Sequence, residues 1–320
     1  MAYVHFIGID VSKGWFDAAL AGSPDRPRRF ANAPEGFAAF RQAFGERLRD
    51  AFVVLEATGG YEAALLAALV GGGVAVHRAA PSQARSFCRS LGGQAKTDGL
   101  DAKALARMAA ERHAGLRLFE LPSKDQAAMN DLLTRRADLL AAEVAEKNRA
   151  QHPRYANAVQ TVRESLAASL AFLAGQMKAL DAEVEALVGR SAPLRARFAA
   201  MTSIVGIGAK TAYILQGHLP ELGALTRRQA ASLAGCAPHA RDSGLTRGHR
   251  SVFGGRSAVK RALFTAAMSA RTHDPAMRAF FDKLTTNGKP KMVALVAIMR
   301  KIVVRVNAIL RPLQANDHGR

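Results

Sequence analysis

The hydrophobic pattern of the chain changes period as it proceeds. Up to about residue 115, short apolar and β-branched runs alternate with helical stretches. A strand is expected within Tyr3–Ser12, a hairpin partner over Trp15–Ala21, a third strand over Arg28–Ala33, a helix over Pro34–Arg49 and a strand ending at Glu56. A helix over Tyr61–Val70, a strand over Val74–His77 and helices near Ser82–Leu91 and Asp98–Arg112 complete this part. Strands in hairpin order followed by alternating helices and strands predict a mixed sheet flanked by helices.

From about Ser123 to Val188 the apolar spacing becomes that of long helices. Val159, Val162, Leu166, Leu170, Leu173, Met177, Leu180, Val184 and Leu187 advance by three or four residues, close to a heptad seam. Met129, Leu133, Ala137, Leu140 and Val144 form an earlier stripe, and His152-Pro153 separates the two. The product is a helical hairpin or a dimerising coiled coil, architectural in either case. The last third predicts helices near Thr226–Ala234, Ser257–Arg271 and Lys291–Arg311, with a shorter one between the last two. It also carries a long Gly- and Arg-rich loop, Cys236–Arg256, of a kind more often functional than connecting. The expected parts are residues 1–115, 123–190 and 191–320.

Charge separates these parts. The chain of 320 residues carries a formal charge of +19. From Ser191 onward, 21 Lys and Arg stand against 5 Asp and Glu, while residues 1–190 are nearly balanced at 24 against 21. A polyanionic partner is expected for the basic third. A membrane partner is not expected, since no run of about 20 apolar residues occurs. Met1 leads straight into a strand, so no signal peptide is expected and the location is read as cytoplasmic. Cys88 and Cys236 lack metal-ligand spacing and are read as reduced and structural, without zinc.

Against this basic background four acids stand out. Asp10 interrupts the apolar run Tyr3–Ser12, where an unpaired carboxylate would cost several kcal/mol, so it needs a partner or a metal. Glu56 ends its strand just before Ala57-Thr58-Gly59-Gly60, the C-terminal edge where open α/β sheets place ligands. Asp98 and Asp101 share one helical face, and Thr97 or Asp98 could cap that helix. Carboxylates at a helix start also serve as caps or dipole partners, so that reading stays open for Asp98 and Asp101. Oxygen ligands of this kind suit Mg²⁺ or Mn²⁺ and in-line phosphoryl displacement. In the basic third, Gly206-Ile207-Gly208-Ala209-Lys210 resembles a helix-hairpin-helix turn whose amides meet phosphates, although such turns also occur between helices that only pack.

The acids set in GIDVSK, VVLEATGGY and AKTDGLDA, followed by TSIVGIGAKTA, AGCAPHARDSG and GKPKMVALVAIMRK, resemble the DEDD-type insertion-sequence transposases that include the Piv DNA invertases. The match runs almost end to end. It implies a RuvC-like, ribonuclease H-type first domain whose metal-binding acids fall on Asp10, Glu56, Asp98 and Asp101. The fold class is then a mixed α/β domain, a helical coiled-coil middle and a mainly α-helical C-terminal domain. The family's serine nucleophile, in a Ser-Gly motif, falls on Ser243-Gly244. The resemblance also implies a structured guide RNA from the element, pairing with donor and target DNA. A dimer is the smallest assembly expected, and a tetramer suits a reaction that exchanges four strands.

A serine hydroxyl needs activation, and no Ser/His/Asp set is evident, so metal held by the acids is the expected activator of Ser243. The complete site would require the two domains to meet, within one protomer or between protomers. A turn serine that satisfies loop backbone remains the alternative. Arg241, Arg247 and Arg250 could hold the scissile phosphate or make nonspecific backbone contacts. Competing functions are a RuvC-like nuclease that uses water, and a non-catalytic nucleic-acid-binding protein whose acids are structural.

Overall fold

A computed structural model describes residues 3–91, 98–156, 158–239 and 251–315. Of Asp98, Gly99, Leu100, Ala156, His239, Gln314 and Ala315 it describes the backbone alone. The chain divides into two compact units, residues 1–121 and 122–320.

The first unit is built on β1 (His5–Val11), β2 (Trp15–Leu20), β3 (Arg28–Ala31), helix α1 (Pro34–Phe44), β4 (Ala51–Glu56), α2 (Ala63–Gly71), β5 (Ala75–Ala79), α3 (Pro81–Ser90) and α4 (Asp98–Arg112). The sheet order is β3-β2-β1-β4-β5, with β1 antiparallel to β2, β2 to β3, and β1–β4–β5 parallel. This mixed five-stranded sheet with helices is consistent with the RuvC-like expectation. Alternation along the strands sorts the two faces. Ile7, Ile9 and Val11 join Phe16, Phe30, Phe37 and Phe40 in one core layer, while Phe52 and Val54 pack with Leu105, Met108 and Ala109 in the other.

Two element ends differ from the sequence reading for local reasons. The first helix stops at Phe44 because Gly45 takes a left-handed conformation (φ +48°), and a single 3-10 turn, Gly45–Leu48, carries the chain to β4. The second helix starts at Ala63, since Gly59 and Gly60 take φ +62° and +101° in the turn before it.

The contact between α4 and β1 is unusually close. A Cβ on Gly8 would lie 2.0 Å from the Ala106 amide nitrogen and 2.1 Å from the Ala102 carbonyl oxygen. Helix backbone therefore rests directly on strand backbone, with Ala19, Ala102 and Ala106 filling the seam. Only glycine at position 8 permits this approach.

The second unit contains α5 (Lys124–Gln151), the single turn α6 (Pro153–Ala156), α7 (Gln160–Arg190), α8 (Ala192–Thr202), α9 (Ala209–His218), α10 (Arg227–Leu233), β6 (Pro238–His239), β7 (Ser251–Val252), α11 (Ser257–His273), α12 (Pro275–Thr286) and α13 (Lys291–Ala315). Its core gathers Leu215, Leu219, Leu263, Ala267, Ile298 and Val306 from α9, the turn after it, α11 and α13. Helix α5 ends at His152, which is extended as the residue before Pro153 must be.

Helices α5 and α7 form an antiparallel hairpin. Met129 and Leu133 share a cluster with Val184, Leu187 and Val188, and Arg136 pairs with Asp181 farther along. The expected stripe shifts by one residue on α5: Leu139 is buried, whereas Leu140 and Val144 are exposed, as are Val159 and Val162 on α7.

Candidate active site

The register of the sheet brings Asp10 and Glu56 side by side. The β1–β4 pairing runs from His5 opposite Ala51 to Ile9 opposite Leu55, so the next residues out on these parallel strands are Asp10 and Glu56. Both face the α4 side, two residues beyond Gly8 and Val54 respectively. Helix α4 runs antiparallel to β1: Gly8 lies under Ala102–Ala106, whereas His113, past the helix end, sets its ring 4.9 Å from Phe6 and 6.1 Å from Tyr3. Its first turn is thereby carried to the C-terminal edge of the strands. Asp101 stands there, one turn before Leu105 on the face that covers Phe52 and Val54. The backbone of Asp98 opens the same turn.

The electrostatics of Cys88 agree with this placement. Burial pushes its thiol pKa up, and Asp101, Glu56 and Asp10 add to the rise in that order. One thiol on α3 thus feels all three acids. Among the described residues no three His, Cys, Asp or Glu side chains are close enough to hold a metal. Three carboxylates at one sheet edge nevertheless offer the hard oxygen donors that Mg²⁺ and Mn²⁺ take, so the residues present fit such an ion.

Several supporting residues escaped the sequence reading. Asp17 lies directly across from Asp10 on β2 and is buried, a placement that would set two like charges together. Arg29 answers it with two parallel hydrogen bonds, Nε to Oδ1 at 2.9 Å and Nη2 to Oδ2 at 2.8 Å. Asn32 donates through Nδ2 to the carbonyls of Ser12 (3.0 Å) and Tyr61 (2.9 Å), tying the turn after β1 to the turn after β4. Glu62, 1% exposed, accepts at Oε2 from the amides of Thr58 and Gly60, each at 3.0 Å, and at Oε1 from Arg78 Nε at 2.9 Å. Burial alone would raise the Glu62 pKa. Backbone hydrogen bonds together with Arg78 outweigh that and hold it below the usual carboxylate value. The turn that follows Glu56 is therefore folded around a buried anion. Its sequence signal was faint, since a Glu just ahead of a helix ordinarily reads as a solvated dipole partner.

In the second unit, the turn between α8 and α9 separates its residues by role. Gly206 has φ +96°, and a Cβ there would meet the Ala266 carbonyl oxygen at 2.7 Å, so this glycine serves packing against α11. Gly208 precedes α9 as its exposed N-cap, and Lys210 is exposed, 3.9 Å from Asp181. Ser243, Arg241, Arg247 and Arg250 lie outside the described residues. The residues that flank them in the chain pair with each other. Pro238 pairs with Val252 and His239 with Ser251. A Cβ on Gly255 (φ +78°) would lie 2.2 Å from the Gly235 amide nitrogen. Arg256 then clamps the outgoing strand, donating to the Glu221 carboxylate (2.7 and 2.5 Å) and to the His218 carbonyl (2.6 Å).

Comparison with known proteins covers most of this architecture. A family model described as "Transposase", of the DEDD type, matches residues 7–152, and one described as "Transposase IS116/IS110/IS902 family" matches residues 199–282. The pilin gene-inverting protein of Moraxella bovis is 27% identical over 96% of this chain and 95% of its own length. Its counterpart from Moraxella lacunata is 26% identical over the same shares. An uncharacterised 43.6 kDa protein of insertion element IS110 from Streptomyces coelicolor is 34% identical over 46% of this chain and 36% of its own. Among the described residues no helix is long and apolar enough to cross a membrane.

Proposed function

The chain belongs to the IS116/IS110/IS902 family of transposases and is a DNA recombinase of that family, and from this premise we propose a metal-assisted serine mechanism. The observation that supports the proposal is that the strand register and helix α4 put Asp10, Glu56 and Asp101 along one edge of the sheet. Those three acids and Asp98 would hold Mg²⁺ or Mn²⁺. When bound, the ion supplies charge stabilisation to the scissile phosphate and acidifies the attacking hydroxyl. Ser243 Oγ loses its proton and attacks phosphorus; a new P–O bond forms as the bond to one deoxyribose oxygen breaks, and that oxygen leaves to be protonated. The phosphoserine ester keeps the bond energy, and attack by the hydroxyl of another strand end reverses the step to rejoin DNA.

The remaining residues serve binding in this reading. Gly208 and Lys210 at the start of α9 meet backbone phosphate, with Gly206 shaping the turn, and Arg241, Arg247 and Arg250 grip the DNA around Ser243. The basic charge of residues 191–320 supplies the general attraction to DNA. Element ends and target are selected through a structured guide RNA, and two or four copies of the chain assemble to exchange strands. The likeness to pilin gene-inverting proteins over nearly their whole length supports a recombinase that inverts or transposes DNA by the same steps.

The test is a gel assay for covalent protein–DNA adducts, with purified protein, Mg²⁺, the element's ends and its flanking RNA. Wild type is expected to form an adduct that Ser243→Ala and Asp10→Ala both abolish. Metal-dependent cleavage that survives Ser243→Ala without an adduct would make the chain a nuclease that uses water. Salt-sensitive DNA binding with no strand breakage would leave the acids a structural role.

A further inference from the structure

The chain has one tryptophan, and it stands at the acidic edge. Trp15 opens β2 and is 41% exposed, an unusual position for an indole that has a large apolar core within reach of its own strand. Its neighbour Phe16 points into that core with Val11, so Trp15, like Asp17, faces the side that carries Asp10. The guanidinium of Arg29 lies over the indole ring at 4.8 Å from its centroid while its two bonds to Asp17 fix it there. The turn is equally fixed: Ser12 donates through its backbone amide to the Trp15 carbonyl at 2.9 Å and through its hydroxyl at 2.7 Å. Asn32 ties this turn to Tyr61, a second aromatic residue, 48% exposed.

We propose that Trp15 is a stacking platform for an unpaired nucleobase of the DNA strand being cut, a role that rests on the recombinase reading above. The argument is one of charge against stacking. The charge of Arg29 is matched by Asp17, so Arg29 offers a strand at this edge no uncompensated ion pair. An indole with a guanidinium over its ring offers the other available attraction, base stacking, which tolerates any sequence and needs a base whose face is uncovered. A base within intact duplex has both faces occupied by its neighbours. The platform therefore selects a strand that is locally unpaired beside the acids, as strand exchange demands.

The single tryptophan makes the test direct. Full-length protein in Ca²⁺ buffer is titrated with a short fluorescein-labelled single-stranded DNA, the same sequence as a duplex, and its RNA counterpart, following both anisotropy and tryptophan emission. Single-stranded DNA is expected to quench Trp15 emission by about half, saturating together with anisotropy, whereas duplex binds with little quenching. Trp15→Ala should weaken single-strand binding by about tenfold and Trp15→Phe by about threefold or less, a ring being retained. Circular dichroism confirms that both variants fold. Anisotropy that saturates with unchanged Trp15 emission and an unaltered Trp15→Ala affinity overturns the platform while leaving the recombinase reading in place. Quenching by RNA alone overturns the assignment to DNA. Absence of binding to any DNA overturns both.

Discussion

The acidic edge of the first unit and the two-strand stem of the second each border a group needed for the proposed chemistry, and they are built differently. Asp10, Glu56 and Asp101 come from two strands and a helix whose spacing is set by backbone contact, with Gly8 resting on Ala102 and Ala106. The turn after Glu56 is further locked by Glu62, Arg78 and Asn32. The stem below Ser243 rests on two two-residue strands, one glycine pair and the Arg256–Glu221 clamp. Metal ligands tolerate little displacement, because several must converge on one ion. A nucleophile has to reach a phosphate, which sets a different demand on the residues around it.

The comparison is broken most severely at Gly8. Gly8→Ala places a methyl inside helix backbone, so α4 must shift by an ångström or more. The expected outcome is about a hundredfold loss of adduct formation, with destabilisation of about 1–3 kcal/mol in thermal melts. Metal binding should fall with it. A trifluoromethyl tag on Cys88 reports this, since Mn²⁺ held by the acids broadens the fluorine resonance in wild type and much less in the variant. The other thiol does not interfere, as burial pushes the Cys236 pKa up to about 11.

Gly255→Ala sharpens the contrast from the other side. The added Cβ meets the Gly235 backbone at 2.2 Å and opens the stem. Adduct formation should fall about tenfold or more, while Mn²⁺ broadening at Cys88 stays as in wild type. Loss of metal binding in this variant would show that the two anchors are not independent.

The smallest expected effect is at the turn after Glu56. Glu62→Gln leaves Arg78 without its buried counter-ion and should cost about 1 kcal/mol at neutral pH, since Arg78 itself is 42% exposed. The folded pKa of Glu62 is depressed, so its stabilising contribution is complete above the ordinary value of 4.5 and is lost as pH falls through the folded value. The melting gap between wild type and variant should accordingly be constant from pH 7 to about 5.5 and close below about 4.5. A gap that widens on acidification would contradict the assignment.

These residues also mark how far the sequence could be read. Asp10 was legible because a charge inside a β-branched run has few explanations, and Glu56 because it ends an apolar run at a glycine turn. Both signals are local. Asp17 and Arg29 were not, since their pairing depends on which residues of β2 and β3 face each other, and an alternating strand reads equally well in either register. Asn32 bonds carbonyls 20 and 29 residues away in sequence, which no local pattern encodes. Gly8 was visible as a letter in GIDVSK, yet its necessity comes from a helix that follows some ninety residues later. On α5, Leu139 is buried and Leu140 exposed, a choice set by the neighbours the helix meets and not by its own spacing.

The stem at β6 and β7 has a consequence for how such a protein can change over time. The backbones of His239 and Ser251 are paired neighbours, and Gly235 and Gly255 touch beside them, so the segment between has its two ends at one point. A segment with coincident ends is a cassette: its length and composition can be exchanged while the core around Leu219, Leu263 and Val306 keeps its packing. New substrate contacts can then arise by replacement of a dozen residues, with the acidic edge inherited unaltered.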